Sequence, residues 1–434
     1  MNVLIYGLGR SGMAAAELVA KQGHRLYYYD QEPNKQNQDR LIDLGAIYSD
    51  DFEGIPIDIC IAAPGVAYNK PDLITLRNRD IETIGEVEWV YRTFEAEIIG
   101  ITGTAGKGSI TRWVSGLLNS ANIPAVVGGN IDPALSKVAS QDKVLVVELS
   151  SFQLERCPTL KPSIAVIANL DVDHLDYHKT KENYHNAKKN LLKNLDEQSI
   201  FVYNQDNQKL SNWATESKAK TLGFSLQNKA DAYLKNDKII LLDKPLININ
   251  KLNFRAKHFI ANAMAASLVA FSKGLSHEQI ANTLKTISVE EGRYSLVAKK
   301  NNIAYIEDSI ATRTLAVKAG LESTPAPIVW IAGGVNKGAD FKQLENLLKE
   351  KVVLALTIGQ AASEFASEAS LYTEAESTDL KNGYKALAWA LSKAQEKLAK
   401  SGGTVLFAPL ASSFDQFDDY KHRAKVFREI VSTI

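Results

Sequence analysis

The chain has 434 residues, a length typical of about three domains, and its 50 basic and 50 acidic side chains cancel. A balanced charge does not favour nucleic acid or an acidic membrane surface as a partner. The two cysteines, Cys60 and Cys157, are too few for a disulfide framework and are typical of a reducing compartment. Because no apolar stretch is long enough to cross a membrane, we expect a cytoplasmic protein.

The first segment, residues 1–94, opens with a strand-like run from Asn2 to Tyr6, followed by Gly7-Leu-Gly9-Arg-Ser-Gly12. A helical pattern comes next, and a second strand ends at Asp30. Glycines between a strand and a helix, with an acidic residue at the end of the following strand, form the fingerprint of a dinucleotide-binding fold. The fingerprint alone leaves an NAD-dependent oxidoreductase open as an interpretation.

The middle segment, residues 95–288, begins with the run Ile98-Ile-Gly-Ile-Thr-Gly-Thr-Ala-Gly-Lys-Gly-Ser109, which a helical pattern over 110–122 follows. Backbone N–H groups in such a turn, together with the helix N-terminus, attract phosphate groups. Lys107 would reach those phosphates as a point charge. A strict phosphate loop would have glycine in place of Ile101 and a hydroxyl residue in place of Gly108. An ordinary strand-to-helix turn therefore stays open as an alternative.

Two further strands of the middle segment, Val144 to Glu148 and Ile164 to Ala168, are each followed by polar residues. Ligands of open α/β sheets bind beyond the carboxyl ends of the strands, so both polar clusters are candidate site segments. Residues 203–253 are more polar, and we expect irregular strands and loops there. Residues 257–272 predict a helix.

The last segment, residues 289–434, has apolar strands at 328–332, 352–358 and 404–408, with a long helical pattern over 380–400. Strands that alternate with helices predict another parallel-sheet unit. We therefore expect an α/β protein of three domains. These are an N-terminal Rossmann-like domain, a central ATPase of the phosphate-loop type with a parallel sheet, and a C-terminal Rossmann-like domain.

A series of motifs, in order over nearly the whole chain, resembles the Mur ligase family and most of all its glutamate-adding members. The motifs are Gly100-Ile-Thr-Gly-Thr-Ala-Gly-Lys107, Gly128-Gly-Asn-Ile131, Glu148-Leu-Ser-Ser-Phe-Gln153, Asn169 through Asp173-His174, Ala187-Lys188, His258 with Asn262, Gly292-Arg293-Tyr294, Asp308-Ser309, Gly333-Gly334 with Lys337, and Ser412-Ser-Phe-Asp-Gln-Phe417.

The resemblance implies an ATP-dependent ligase that joins D-glutamate to UDP-N-acetylmuramoyl-L-alanine through an acyl phosphate, in peptidoglycan precursor synthesis. It also implies two Mg²⁺ ions and an N6-carboxylysine at Lys188. We expect a monomer that acts on small molecules, without nucleic acid and without membrane insertion.

The family pattern assigns roles by position. Lys107, His174 and Lys188 are the expected catalytic residues, and Ser109, Glu148, His174 and Lys188 the expected metal ligands. The ATP set is Gly103, Thr104, Ala105, Gly106, Lys107, Gly108, Ser109, Asn262, Arg293 and Asp308. The UDP-sugar set is Leu8, Arg10, Ser11, Asp30, Gly65, Asn69, Asn130 and Ser151. The amino-acid set is Thr312, Arg313, Lys337, Ser413 and Tyr420.

Without the resemblance, these residues have plain structural alternatives. Glu148 could be a helix-capping carboxylate and His174 a surface or capping histidine. Lys188 and Lys337 could be solvated lysines.

The chain also departs from the family pattern. Gly108 and Ala105 replace a hydroxyl residue and an asparagine in the loop, and Glu291-Gly292 replaces Pro-His. Ile310 removes a cation near the expected acceptor site, while Arg313 adds one three residues later. A rearranged carboxylate anchor and a different acceptor, such as L-glutamate or a folate-like molecule, are both open. A non-catalytic nucleotide-binding partner is the remaining alternative.

Overall fold

The computed structural model describes residues 1–254, 256–289 and 292–434, so the departure at Glu291 lies outside the described residues. The chain forms two compact units. The first contains Met1–Lys251 with Ala261–Thr286, and the second contains Leu252–Ile260 with Ile287–Ile434. The first unit holds two sheets and the second holds one, so there is one sheet for each predicted domain. The three-domain α/β architecture expected from the sequence is confirmed.

The first sheet has five parallel strands in the order β3-β2-β1-β4-β5. Chain order reverses at the buried central strand β1, the topology of a mononucleotide-binding half of the Rossmann fold. The strands are β1 (Asn2–Tyr6), β2 (Arg25–Tyr29), β3 (Ile47–Tyr48), β4 (Ile59–Ala62) and β5 (Glu82–Ile84). The helices are α1 (Arg10–Lys21), α2 (Lys35–Asp43), α3 (Pro71–Asn78) and α4 (Glu86–Thr93).

The glycine fingerprint permits a close approach of α1 to β1. Gly7 has φ of 93°, a left-handed conformation that favours glycine. A Cβ at Gly12 would overlap the carbonyl oxygen of Gly7. The first and third glycines are therefore required by backbone geometry, as the fingerprint predicts.

The second sheet has nine strands in the order β14-β13-β12-β11-β10-β9-β6-β8-β7. The strands are β6 (Ile98–Thr102), β7 (Ala125–Gly129), β8 (Val144–Glu148), β9 (Ile164–Ile167), β10 (Ile200–Asn204), β11 (Lys220–Ser225), β12 (Ala232–Lys235), β13 (Lys238–Leu241) and β14 (Lys244–Asn248). The helices are α5 (Lys107–Ser120), α6 (Ser151–Leu154), α7 (Leu175–His178), α8 (Lys181–Lys189), α9 (Gln208–Glu216), α10 (Lys257–Ser272) and α11 (His277–Thr286).

The irregular strands and loops expected over 203–253 are the short strands β11 to β14, which extend the sheet, whereas helix α9 within this segment was not expected. Strands β12, β13 and β14 pair antiparallel. The pairs Asn236-Asp237 and Leu242-Asp243 join them with positive φ at both residues, as two-residue hairpin turns require. The strands are short and their turns are polar, which hides the alternation of apolar residues in the sequence.

The third sheet has six strands in the order β15-β16-β20-β17-β18-β19, parallel except for β15, which pairs antiparallel with β16. The strands are β15 (Ser295–Lys300), β16 (Ile303–Glu307), β17 (Ile328–Gly333), β18 (Val352–Ile358), β19 (Ala375–Ser377) and β20 (Gly403–Phe407). The helices are α12 (Thr314–Ser323), α13 (Glu345–Lys351), α14 (Ala362–Ser370), α15 (Gly383–Leu398) and α16 (Tyr420–Thr433).

Candidate active site

The turn between β6 and α5 has the backbone shape of a phosphate loop. Gly103 has φ of 153° and Gly106, the residue before α5, has φ of 82°. A Cβ at Gly106 would lie 2.6 Å from Oδ1 of Asn262, so both conformation and space require glycine there. Asn262 of α10, an expected ATP contact, thus lies against the loop. The helix that follows has 14 residues, enough to present its N-terminal N–H groups to an anion.

Asn169, at the end of the neighbouring strand β9, braces this loop. Its Oδ1 accepts hydrogen bonds from the backbone N–H groups of Thr104 and Ala105 at 3.0 and 2.9 Å, and its Nδ2 donates to Ala105 O at 3.0 Å. The sequence motif contained Asn169 but gave it no role. Its position directly after a parallel strand was the signal that could have identified it.

Two lysines converge on one carbonyl oxygen of the loop. Lys107 Nζ donates to Gly103 O at 2.9 Å and to Thr104 O at 3.2 Å, while Lys188 Nζ also donates to Gly103 O at 2.9 Å. Lys188 is 1% exposed, and its ammonium lies 4.6 Å from the centre of the Tyr184 ring. Burial, with a further contribution from Lys107, lowers the pKa of Lys188 to about 6, against an opposing effect of Glu148. Burial therefore favours the neutral amine of Lys188, which is not a solvated helix lysine.

Glu148 ends β8 beside the start of α5. Its Oε1 accepts a hydrogen bond from Nδ2 of Asn130 at 2.7 Å, and its backbone oxygen accepts from Asn130 N at 2.8 Å. A Cβ at Gly108 would lie 3.1 Å from Glu148 Oε2. The family pattern has a hydroxyl residue at position 108, and its side chain would lie beside this carboxylate. An oxygen ligand at the N-terminal turn of a phosphate-loop helix suits Mg²⁺, which prefers oxygen and uses few protein ligands.

His174 lies at the start of α7 with φ of 52° and its ring 4.9 Å from that of Phe152. Burial lowers its pKa, and the charges of Lys188 and Lys107 lower it further, against Asp176. A neutral imidazole can act as a metal ligand. The described residues contain no group of three or more histidine, cysteine and acidic side chains that could hold a metal by themselves. A metal at this edge would therefore depend on ligands outside that set, such as phosphate oxygens or a modified Lys188.

The expected UDP-sugar residues of the first sheet lie around the carboxyl end of β1. Leu8 N donates to Oδ2 of Asp30 at 2.5 Å. Arg10 and Ser11 are the first two residues of α1. The guanidinium of Arg10 donates a hydrogen bond to the backbone oxygen of Asn130 at 2.7 Å. The structure thus brings residues of the first segment against the middle segment, within one compact unit.

The loop after β4 carries two more of this set, Gly65 and Asn69, and both are exposed. The buried Arg156 holds the loop, because its guanidinium donates to the backbone oxygens of Ala63, at 3.1 Å, and of Val66. Sequence analysis gave Arg156 no role. Its contacts join residues about 90 positions apart in the chain, which local pattern does not predict.

Ser151 is only 2% exposed, and its hydroxyl oxygen lies 2.9 Å from Nε2 of His178. Nδ1 of the same histidine lies 3.5 Å from Oε1 of Glu155. Burial lowers the pKa of His178, as do His174 and Lys188. Ser151 is therefore engaged by a protein partner, and His178 is a neighbour that sequence analysis missed. Its spacing of four residues from His174 was the available signal.

The second unit contains the other two expected ATP residues, Arg293 and Asp308. Tyr294 N donates to Oδ1 of Asp308 at 3.1 Å. Burial raises the pKa of Asp308 to about 7, with a smaller contribution from Glu307 and an opposing one from Arg293. Burial and the charge of Arg293 lower the pKa of His258 to about 4. Perturbed groups of this kind cluster at functional sites, although buried structural networks show the same shifts.

The expected acceptor residues of the second unit follow the carboxyl ends of its strands, four of them on loops and Tyr420 at the start of α16. Thr312 and Arg313 follow β16, Lys337 follows β17, and Ser413 and Tyr420 follow β20. The Asp340 backbone N–H donates to Oγ1 of Thr314 at 3.1 Å, which joins the loop of Lys337 to the start of α12. The Nζ of Lys337 lies 5.8 Å from the centre of the exposed Phe414 ring.

Ile310 and Arg313 do not share a helix. Ile310 lies in a turn in which its N–H donates to Gly292 O at 3.0 Å, and Arg313 is the residue before α12. The helical spacing that would place the two side chains on one face therefore does not apply here. The proposed replacement of one cation by the other stays a prediction.

The protein-family model of the Mur ligase middle domain matches the sequence of this chain over residues 101–270. A UDP-N-acetylmuramoylalanine–D-glutamate ligase of Thermus thermophilus is 40% identical over 428 residues, which cover 99% of this chain and 96% of the relative. The protein of that name from Deinococcus radiodurans is 36% identical, covering 100% and 92%. The chain belongs to the Mur ligase family.

Solved structures of this family show the same fold at low identity. A pseudomurein peptide ligase type C from Methanothermus fervidus superposes with a TM-score of 0.61 at 17% identity, covering 100% of this chain and 99% of that one. The MurF ligase of Thermotoga maritima, solved in complex with ADP, gives 0.61 at 17% identity, covering 99% and 98%. The family resemblance predicted from the motifs is confirmed, and with it the class of enzyme, a ligase.

Proposed function

We propose that this Mur ligase joins D-glutamate to UDP-N-acetylmuramoyl-L-alanine, with ATP split to ADP and phosphate. The observation that carries the proposal is the near-full-length similarity to the D-glutamate ligases. None of the helices in the described part of the chain combines the length and apolarity that a membrane crossing needs. We propose that the enzyme works as a monomer in the cytoplasm on peptidoglycan precursors.

The reaction that we propose has two steps. The alanyl carboxylate attacks the γ-phosphorus of ATP, the bond to the β,γ-bridging oxygen breaks, and ADP leaves from an acyl phosphate. The amine of glutamate then attacks the acyl carbon, loses a proton, and forms the amide as inorganic phosphate departs. Catalysis of this kind consists of positioning and charge neutralisation. Lys107 supports it, because its ammonium already lies on the loop that would bind the phosphates.

We further propose that Lys188 is carboxylated. A neutral amine can attack carbon dioxide, form an N–C bond and lose a proton, which leaves an anionic carbamate. The lowered pKa of Lys188 supplies that amine near neutral pH. Replacement of Lys188 by alanine should abolish ligation, and acetate should partly restore it by supplying a carboxylate at the same place. Failure of every short carboxylic acid to restore activity would count against this proposal.

The two Mg²⁺ ions that the family resemblance implies need ligands beside the loop. We propose that Ser109, Glu148, His174 and the carboxylated Lys188 hold them together with phosphate oxygens. Bound Mg²⁺ supplies positive charge that offsets the negative charge of the transferred phosphoryl group. Glu148 supports the proposal, because Asn130 fixes one of its oxygens and the other faces the first turn of α5.

We propose that Leu8, Arg10, Ser11, Asp30, Gly65, Asn69, Asn130 and Ser151 form the UDP-sugar site. Thr312, Arg313, Lys337, Ser413 and Tyr420 would form the acceptor site, and Asn262, Arg293 and Asp308 would complete the ATP site. A dicarboxylate acceptor requires a cation, and Lys337 and Arg313 lie on adjacent loops that can supply one.

Phosphate release by the purified enzyme tests this proposal. It should require ATP, UDP-N-acetylmuramoyl-L-alanine and D-glutamate together. Lys107→Ala should lower the rate at least about a thousand-fold, the scale at which single charge-stabilising groups act in phosphoryl transfer. Lys189→Ala is the matched control, because Lys189 forms a surface ion pair with Glu216 at 2.8 Å. A Lys107→Ala enzyme within a few-fold of wild type would refute the proposed role of the loop.

A further inference from the structure

The buried Glu307, the last residue of β16, holds the start of the loop that carries Thr312 and Arg313. Its side chain has no exposed surface, and its Oε1 accepts a hydrogen bond from the backbone N–H of Ser309 at 2.7 Å. The carboxylate therefore fixes the turn directly after the strand. The reaction proposed above gives Glu307 no role.

Two arginines of helix α16 hold the same turn from the other side. Arg423 is 1% exposed, and its Nη2 donates to Ser309 O at 2.9 Å and to Ala411 O at 3.1 Å. Arg428 Nη1 donates to Oε2 of Glu307 at 3.1 Å. Ser309 is thus bound at its N–H by a buried carboxylate and at its carbonyl by a buried guanidinium.

These contacts join three segments of the second unit that carry expected acceptor residues. Thr312 and Arg313 lie on the loop after β16, Ser413 lies on the loop after β20, and Tyr420 begins α16. A displacement of the turn at Ser309 would therefore be transmitted to residues that are expected to bind the acceptor.

Helix α16 is a firm support for the two arginines. The ring of Phe427, in the middle of the helix, stacks on the ring of Phe407 of β20 with centres 4.9 Å apart, and both residues are fully buried. The two loops are also joined directly, because Leu410 N donates to Ala311 O at 2.9 Å. The position of the turn is therefore set by its neighbours and not by the loop alone.

The charge of Glu307 needs an explanation, because an acceptor with two carboxylates is expected at the same edge of the sheet. A buried carboxylate is poorly screened by water, so it repels other anions over several ångströms. Arg428 offsets this charge through the 3.1 Å contact. Removing one partner of a buried pair leaves an uncompensated charge, whereas replacing both is often nearly neutral.

We propose that Glu307 is a positioning residue of the acceptor site, which fixes the turn at Ser309, and that Arg428 neutralises its charge so that a dicarboxylate can bind nearby. The inference rests on the proposed function, because that function supplies the dicarboxylate acceptor.

Steady-state kinetics with D-glutamate separates the two roles. Glu307→Gln keeps an oxygen acceptor for the Ser309 N–H, whereas Glu307→Leu does not, so the Michaelis constant for D-glutamate should be about ten-fold higher in the leucine variant. Arg428→Met should raise that constant about ten-fold above wild type, the scale of one unit charge acting over roughly 10 to 15 Å at an effective dielectric constant of about 20. Glu307→Gln combined with Arg428→Met should return to within about three-fold of wild type.

The Michaelis constant for UDP-N-acetylmuramoyl-L-alanine is the internal reference, because residues of the first unit would bind that substrate. It should change less than about two-fold in every variant, since distant sites act independently. Lys425→Met is the matched control on the same helix, because Lys425 forms a surface ion pair with Glu429 at 3.7 Å. It should leave both constants unchanged.

The outcomes separate the inference from the function on which it rests. Equal increases in both Michaelis constants, or a double variant as impaired as Arg428→Met, would refute the inference, because the pair would then serve stability alone. If Arg428→Met does not fold, the comparison of Glu307→Leu with Glu307→Gln decides, and equal constants for D-glutamate would refute the inference. A wild-type enzyme that does not ligate D-glutamate would refute the proposed function itself.

Discussion

Lys107 and Lys188 donate to the same carbonyl oxygen, and the second of them is buried where a charged ammonium is costly. Lys188 lies 85 positions from Gly103 in the chain. Sequence analysis could propose both residues from the family pattern. It could not predict the lowered pKa of Lys188, because that shift arises from burial and from the neighbouring charge, which only the folded chain creates.

The lowered pKa makes stability depend on pH. Unfolded, the lysine binds its proton up to about pH 10.5, but folded it binds the proton only below about pH 6. Between these values the unfolded state holds the extra proton, so the stability of the uncarboxylated enzyme rises with pH. Lys188→Met removes this effect. In carbon-dioxide-free buffer, we expect the difference in melting temperature between Lys188→Met and wild type to shrink from pH 6.5 to about pH 9. A difference that stays constant over this range would contradict the lowered pKa of Lys188.

Arg313 tests the acceptor site at the same scale. Removing a cation from a carboxylate that is desolvated on binding costs several kcal/mol, on the order of a hundred-fold in affinity. Arg313→Ala should therefore raise the Michaelis constant for glutamate much more than that for ATP. Lys342→Ala, a lysine in the short 3-10 helix Phe341–Leu344 that follows the loop of Lys337, is the control. An unchanged constant for glutamate would exclude Arg313 from the anchor and favour a different acceptor.

At the scale of elements, the loop between β6 and α5 shows which parts of a motif are structural. Gly106 combines positive φ with close contact to Asn262. Gly106→Ala should cost about 1–2 kcal/mol of stability from the left-handed conformation alone, and it should raise the Michaelis constant for ATP by disturbing the loop. Gly116→Ala, within α5 and with open space around it, should be neutral or stabilising. Equal melting temperatures for the two variants would contradict this reading of the loop.

The elements themselves were predictable where their pattern was strong. The glycine fingerprint, the strands β6, β8 and β9, and helix α10 all lie where apolar periodicity placed them. Within residues 203–253 the sequence indicated strands and loops but not the bounds of β11 to β14, because short strands with turns such as Asn236-Asp237 carry little periodic signal. The site was predictable as a set of residues, but its supports, such as Asn169 and Arg156, depend on long-range contacts.

At the scale of the molecule, the first two sheets share one compact unit, and the buried Glu88 of α4 is one of the ties between their segments. Its carboxylate accepts hydrogen bonds from the backbone N–H groups of Thr159 and Leu160, both at 3.1 Å, and from Arg92 Nε at 2.8 Å. Truncating one partner of a buried charged network typically costs about 3–5 kcal/mol. Glu88→Ala should therefore lower the free energy of unfolding of the first unit by about that amount.

Glu82 provides the matched control, because its half-exposed carboxylate binds the same Arg92 guanidinium. Exposed ion pairs contribute less than about 1 kcal/mol, so Glu82→Ala should have a small effect. Denaturant unfolding of both variants measures the difference. A Glu88→Ala protein as stable as Glu82→Ala would show that the buried carboxylate does not tie the segments together.

The identity of the acceptor amino acid tests the proposed function most directly, because Ile310 stands where the family pattern has a cation and Arg313 follows three residues later. Mass spectrometry of the product should be made with ATP, UDP-N-acetylmuramoyl-L-alanine and a panel of amino acids that includes D-glutamate, L-glutamate, L-lysine and diaminopimelate. The account predicts that D-glutamate is converted to the amide with release of one phosphate per product, far ahead of every other amino acid. Preferred conversion of another amino acid, or no product with any of them, would contradict it.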